Sequence, residues 1–226
     1  IERGDRIALL GPNGSGKSTL LRLIMGEEKP LSGSLQIGEH NVLPAYFAQN
    51  KAEALDLERT VLETIREEVV EWKDSEVRGL LGRFMFSGDS VFKRVRDISG
   101  GEKARLALAK MLLSSANFLI LDEPTNHLDI PAKETLEKAL REYEGAVIVV
   151  SHDRYFISQI ATKIVELRNN KMRVFVGSYE YYLEKVGEQR IAEEQAKQEA
   201  AKEAELAAKR AKAKEKERSR KEKAKA

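Results

Sequence analysis

The chain has 226 residues, 42% of them hydrophobic and 34% charged, with a formal net charge of +2 and no cysteine. That is enough for one globular domain with a sizeable core and some extension, whereas no run reaches the roughly 18 apolar residues of a membrane span and no charged-then-apolar signal segment opens the chain. Lack of cysteine excludes disulfides, thiolate metal sites and cysteine nucleophiles, and it fits a reducing compartment.

The chain begins at Ile1 rather than Met, almost directly on a buried-strand pattern. It therefore reads as a fragment whose natural start, with any targeting peptide, lies upstream. Arg6–Leu10 is a short apolar run ending in a Gly-rich loop, and Ser18–Met25 reads as a helix. Leu35–Ile37 and Leu43–Phe47 are strand-like, with Gly33 and Gly38 as turn signals. Thr60 and Glu63 form a capping box that opens a helix to about Trp72. Ser75–Phe86 reads as a further helix, capped by Asp74. Ser99 and Glu102 form a second capping box ahead of Arg105–Leu113. Phe118–Leu121 and Ala146–Val150 are unbroken apolar runs, as central parallel strands covered on both faces require. Pro131 suits the first turn of a helix reaching about Tyr143. The alternation predicts an α/β domain with a mainly parallel sheet, interrupted by a helical insertion over Leu57–Arg96.

Beyond Tyr179–Lys185 the composition changes to Ala, Glu, Lys, Arg and Gln. From 187 to 226 there are 13 Lys+Arg against 9 Asp+Glu, so the basic excess lies in this tail. Acidic residues dominate its first half and basic residues its second, an order that suits a helix macrodipole. No apolar stripe exists to dock it. It reads either as a solvated, partly helical or disordered tail or as an arm for RNA phosphates.

Gly11, Pro12, Asn13, Gly14, Ser15, Gly16, Lys17, Ser18 and Thr19 spell a phosphate loop between a strand and a helix. Glycines there let backbone N–H groups converge on phosphates, Lys17 reaches the outer phosphates, and Ser18 offers a hydroxyl to Mg²⁺. Asp122 and Glu123 follow a buried strand, at the sheet edge where α/β proteins bind ligands. They read as a Mg²⁺-holding carboxylate and a water-polarising one, or else as an acidic pair capping a helix. His152 follows the other buried strand and is either structural or a donor to the γ-phosphate. His40 and His127 fall in predicted loops, and no ligand spacing joins the three histidines, so no zinc site is expected.

In chain order stand the loop Gly11–Thr19, Gln49, Ile98–Arg105 (ISGGEKAR), Leu119–Pro124 (LILDEP), Asp129 and His152. This series resembles the Walker A, Q-loop, signature, Walker B, D-loop and H-loop motifs of ATP-binding-cassette ATPases, over Ile1 to about Lys185. The resemblance implies a P-loop NTPase fold of the cassette type that binds ATP and Mg²⁺. A cassette would span 1–186, with a helical subdomain at about 57–113, followed by the charged tail 187–226. By the same resemblance Gln49 touches Mg²⁺ and the attacking water, with Ser18 and Asp122 as the other metal-holding residues. Ser99, Gly100, Gly101 and Glu102 would meet the nucleotide of an opposite cassette. One cassette alone would then have no complete catalytic site. Ile98 and Glu102 stand where transporters usually have Leu and Gln, and the adenine-stacking aromatic is expected upstream of Ile1.

Glu123–Asp129 (EPTNHLD) and Ser151–Ile157 (SHDRYFI) look like the soluble ABC-F proteins, which carry two cassettes in one chain. Phe84–Phe92 and Gly177–Leu183 resemble their second cassette, and Gly38–Thr64 the plant and algal branch. The expectation is an ATPase acting on the ribosome and translation, in cytoplasm or plastid. The alternatives are the ATPase subunit of a membrane transporter and an ATP-gated ribosome- or RNA-binding clamp with little turnover.

Overall fold

The computed structural model describes residues 1–38, 41–48, 55–126, 128–169 and 171–188. The chain divides into two compact units, Ile1–Tyr179 and Glu180–Ala226. The second unit is helical from 180 to 188, and the rest of the tail lies outside the described residues.

The first unit is a six-stranded sheet of order β2-β3-β4-β1-β5-β6. Its strands are β1 (Arg6–Leu10), β2 (Pro44–Phe47), β3 (Phe118–Asp122), β4 (Ala146–Val150), β5 (Lys163–Arg168) and β6 (Lys171–Val176). All neighbouring pairs are parallel except β5–β6. The helices are α1 (Lys17–Ile24), α2 (Val61–Arg66), α3 (Asp74–Arg83), α4 (Gly100–Leu113), α5 (Ile130–Glu142) and α6 (Arg154–Ile160).

Side chains alternate along a strand, so a strand apolar at every position must be covered twice. On one face Ile7, Leu9, Phe118, Ile120, Ala146, Ile148 and Val150 form a core with Leu21 of α1. Ala8, Leu119, Leu121, Val147 and Val149 are buried on the other face. Right-handed crossovers explain the two layers. The chain leaves β1 toward the β2 edge but runs the opposite way from β2 to β3, β3 to β4 and β4 to β5. Helices on the second set of connections therefore lie on the face opposite α1. The reversal at β1 opens a crevice at the carboxyl ends of the strands, where open α/β sheets hold ligands.

Arg6 ties α5 to this sheet. Its guanidinium donates to Leu140 O (2.7 Å), Gly145 O (2.7 Å) and Tyr143 O, carbonyls that α5 and its exit cannot satisfy internally. In the insertion, α2 packs against α3, α4 and the 3₁₀ turn Gly88–Phe92. Val61, Ile65, Val77, Leu81, Phe86 and Val91 are buried there.

Three expectations change. Leu35–Ile37 joins no ladder among the described residues, and Leu35 is exposed; a strand without a partner leaves its backbone unpaired. α2 stops at Arg66 rather than near Trp72, because Glu68 N–H and Val69 N–H bond three residues back and tighten the chain into turns. α3 is entered through Lys73, whose N–H is accepted by Glu76 Oε2 at 2.7 Å. Asp74 lies inside the first turn and pairs with Arg66. Both capping boxes, Thr60–Glu63 and Ser99–Glu102, form as expected. The α6 helix and the β5–β6 hairpin lie beyond the elements read from sequence.

Candidate nucleotide site

The loop after β1 is built on glycine geometry. A Cβ on Gly11 would stand 2.3 Å from Leu167 O and 2.7 Å from Ser15 Oγ. Gly16 enters α1 with φ of +91°, and no side chain caps that helix. The N–H groups of Lys17, Ser18 and Thr19 thus have no partner within the helix, which makes the terminus an anion cradle. Pro12, Asn13 and Gly14 are exposed on the loop. Lys17 Nζ donates to Gly11 O (2.9 Å) and Pro12 O (3.0 Å), so its charge sits over the loop.

Across the crevice, Ser18 Oγ donates to Asp122 Oδ2 at 3.0 Å. Tyr46 on β2 donates its phenol to the same oxygen at 3.4 Å. Burial, with the Asp122 charge second, pushes the Tyr46 phenol up to about 12. Sequence reading took Tyr46 only as a strand residue; the β2–β3 pairing is what brings it to Asp122.

Glu123 occupies the bend after β3 with φ of +52°, a left-handed conformation that costs a non-glycine residue roughly 1–2 kcal/mol. Its N–H donates to Val150 O at 2.8 Å, fastening the bend to the end of β4. From β4, His152 meets it. His152 Nε2 lies 3.5 Å from Glu123 Oε1, and His152 N–H donates to Glu123 Oε2 at 3.4 Å. Burial raises the Glu123 pKa, opposed by the neighbouring His152 and Lys17 charges.

Ser99 caps α4. Its Oγ accepts Glu102 N–H at 3.3 Å, and Glu102 Oε2 accepts Ser99 N–H at 2.8 Å. That hydrogen bond holds the Glu102 carboxyl below its usual range. Gly100 and Gly101 are left as the N–H groups without an intrahelical acceptor. Among the described residues, no hydrogen bond or ion pair joins Ser99, Gly100, Gly101 or Glu102 to Lys17, Ser18, Asp122, Glu123 or His152. Asp129 caps α5 through Ala132 N–H (3.1 Å) and pairs with Arg105 (3.5 Å). Gln49, His40 and His127 lie outside the described residues.

The residues fit a nucleotide triphosphate with Mg²⁺. Ser18 Oγ and Asp122 Oδ2 face one another as hard oxygen donors of the kind Mg²⁺ takes, directly or through water, and the uncapped start of α1 would receive the phosphates. A glycine loop opening a helix after β1, with carboxylates at the end of the parallel strand β3 one strand away across β4, defines an ATP-binding domain of the P-loop NTPase class.

The comparisons agree. Residues 1–126 match the ABC transporter family. ABC transporter F family member 5 of Arabidopsis thaliana is 57% identical over 82% of this chain and 27% of its own length. The putative ATP-binding protein YdiF of Bacillus subtilis is 50% identical over 88% of this chain and 31% of its own. The archaeal ribosome recycling factor aABCE1, solved in complex with ribosomal stalk protein aP1, superposes with a TM-score of 0.67 at 26% identity, covering 83% of this chain and 37% of that one. The chain belongs to the ABC transporter family, with its plant F members among its similar relatives. It spans about three-tenths of the length of those curated relatives. No helix among the described residues is long and apolar enough to cross a membrane.

Proposed function

We propose that this chain is an ATP-hydrolysing cassette, the second of two in an F-family protein that works on the ribosome. The observation that supports hydrolysis best is the pairing of Glu123 with His152 at 3.5 Å, at the ends of the neighbouring strands β3 and β4, beside the hydrogen bond from Ser18 at the start of α1 to Asp122. The recycling-factor neighbour and the F-family relatives support the ribosome reading.

The loop N–H groups and Lys17 hold the phosphate oxygens, and Ser18 and Asp122, with Gln49, hold Mg²⁺. When bound, the ion neutralises charge on the outer phosphates. Glu123 lies partly buried, its carboxylate accepting hydrogen bonds only weakly, and it accepts a proton from the attacking water. His152 donates to the γ-phosphate and orients Glu123. Gly100 and Gly101 N–H groups serve the nucleotide of the other cassette, so each site needs both cassettes. In this reading 1–186 is the cassette, working in cytoplasm or plastid, and 187–226 is an arm for RNA phosphates.

The test is ribosome co-sedimentation of the full-length protein carrying Glu123→Gln and the matching change in its other cassette, with and without ATP. ATP-dependent pelleting is expected. Failure to pellet while ATP binding persists would reject the ribosome assignment and leave the ATP-binding domain.

A further inference from the structure

The bends after β3 and β4 carry Glu123 and His152, and neither side chain is held by its own strand. Beneath them lie two hydroxyls that the chemistry above does not use. Thr125 and Ser151 are each 5% exposed, and their side-chain oxygens are 3.1 Å apart. Ser151 Oγ also accepts Asp153 N–H at 3.1 Å. Asp153 continues the chain: it accepts Phe156 N–H at 3.1 Å, capping α6, and pairs with Lys133 Nζ of α5 at 2.7 Å. The bends are also joined by Glu123 N–H to Val150 O, by His152 N–H to Glu123 Oε2 and by the Glu123–His152 side-chain contact; the hydroxyl pair is the buried side-chain link beneath these, one residue from His152 and two from Glu123. A buried hydroxyl deprived of its partner is costly, so the two bends cannot separate freely.

We propose that the Thr125–Ser151 hydroxyl pair is a positioning device that holds His152 at its working distance from Glu123 and the reacting phosphate. The proposal rests on the hydrolytic reading above. Thr125 and Ser151 touch no substrate; they act through the registry of the two bends. A pair that merely satisfied itself in the interior would affect stability alone, whereas a positioning pair affects turnover through His152 and leaves nucleotide affinity in place.

The test uses Thr125→Val in the full-length protein, which keeps side-chain shape and removes the hydroxyl. Three readouts apply: kcat, nucleotide Kd, and amide hydrogen exchange at His152 and Asp153. The expected result is a kcat loss of at least about tenfold, as small misplacements of reacting groups produce, with Kd within about twofold and faster exchange at both amides. Thr125→Ser restores all three. In a His152→Ala background, Thr125→Val costs less than about a further twofold, because residues acting through one another are not additive. Unchanged exchange overturns the proposal, and so does a kcat loss that persists in full without His152. Should the unmodified protein show no turnover, the hydrolytic reading fails first and carries the positioning role with it, whereas turnover that survives Thr125→Val unchanged overturns the positioning role alone.

Discussion

Glu123 Oε1 and His152 Nε2 stand 3.5 Å apart at the ends of β3 and β4, strands paired in register from Phe118↔Ala146 to Asp122↔Val150. A carboxylate and an imidazole at this distance can share one water molecule or one proton, and the left-handed bend at Glu123 is fastened to β4 by its own N–H on Val150 O.

Replacing Glu123 by Gln removes the proton acceptor and keeps the shape. Turnover is expected to fall by roughly 10²–10⁴-fold while ATP binding is retained. Steady-state phosphate release alongside nucleotide titration measures both, and wild-type turnover in this variant would remove Glu123 from its proposed role.

The same substitution has a pH-dependent effect on stability. Burial raises the Glu123 pKa in the folded state, so ionisation opposes folding. At pH below the unfolded carboxyl value both states are protonated, and Glu123→Gln changes little. As pH rises past that value the wild type loses stability, until the folded carboxyl has also ionised. Thermal melts should therefore show the Gln variant more stable at neutral pH, with the difference shrinking toward acid. A difference that grew toward acid would contradict the burial argument.

Lys17→Ala removes the ammonium that now rests on Gly11 O and Pro12 O. A charge-assisted bond to phosphate contributes about 1.5–3 kcal/mol, so nucleotide Kd should weaken by about 10- to 100-fold. Fluorescent-nucleotide titration checks this, and an unaltered Kd would mean the backbone cradle carries the phosphates alone.

Arg6→Met keeps the aliphatic stem but leaves Leu140 O, Tyr143 O and Gly145 O without their donor. A loss of about 3 kcal/mol or more is expected in urea unfolding, from burying unpaired carbonyls. A loss below about 1 kcal/mol would mean that water takes the place of the guanidinium.

Deleting 187–226 removes 13 Lys+Arg. RNA affinity should fall, and its logarithmic dependence on salt should become shallower, because fewer counterions are released. Equal slopes with and without the tail would reject the RNA-arm reading.

Much of the framework was legible because it is local. The phosphate loop, the runs that became β1, β3 and β4, the Pro131 helix start and the two capping boxes each depend on residues within a few positions of one another. Leu35–Ile37 failed for the opposite reason: three strand-like residues carry no information about whether a neighbouring strand will pair with them. The end of α2 failed because its last bonds tighten to three-residue spacing, which apolar periodicity does not encode.

The sequence by itself determined which chemical groups are present and in what order: the phosphate loop, the Asp122–Glu123 pair, His152 and the Ser99 cap. Only the tertiary structure decided which of them meet. Parallel pairing of β2, β3, β4 and β1 carries Tyr46, Ser18, Asp122, Glu123 and His152 to one edge, while Ser99 and Glu102 close on each other. The physical reason is that strand order and register arise from burying both faces of the sheet at once, a condition on the whole chain that no short segment contains.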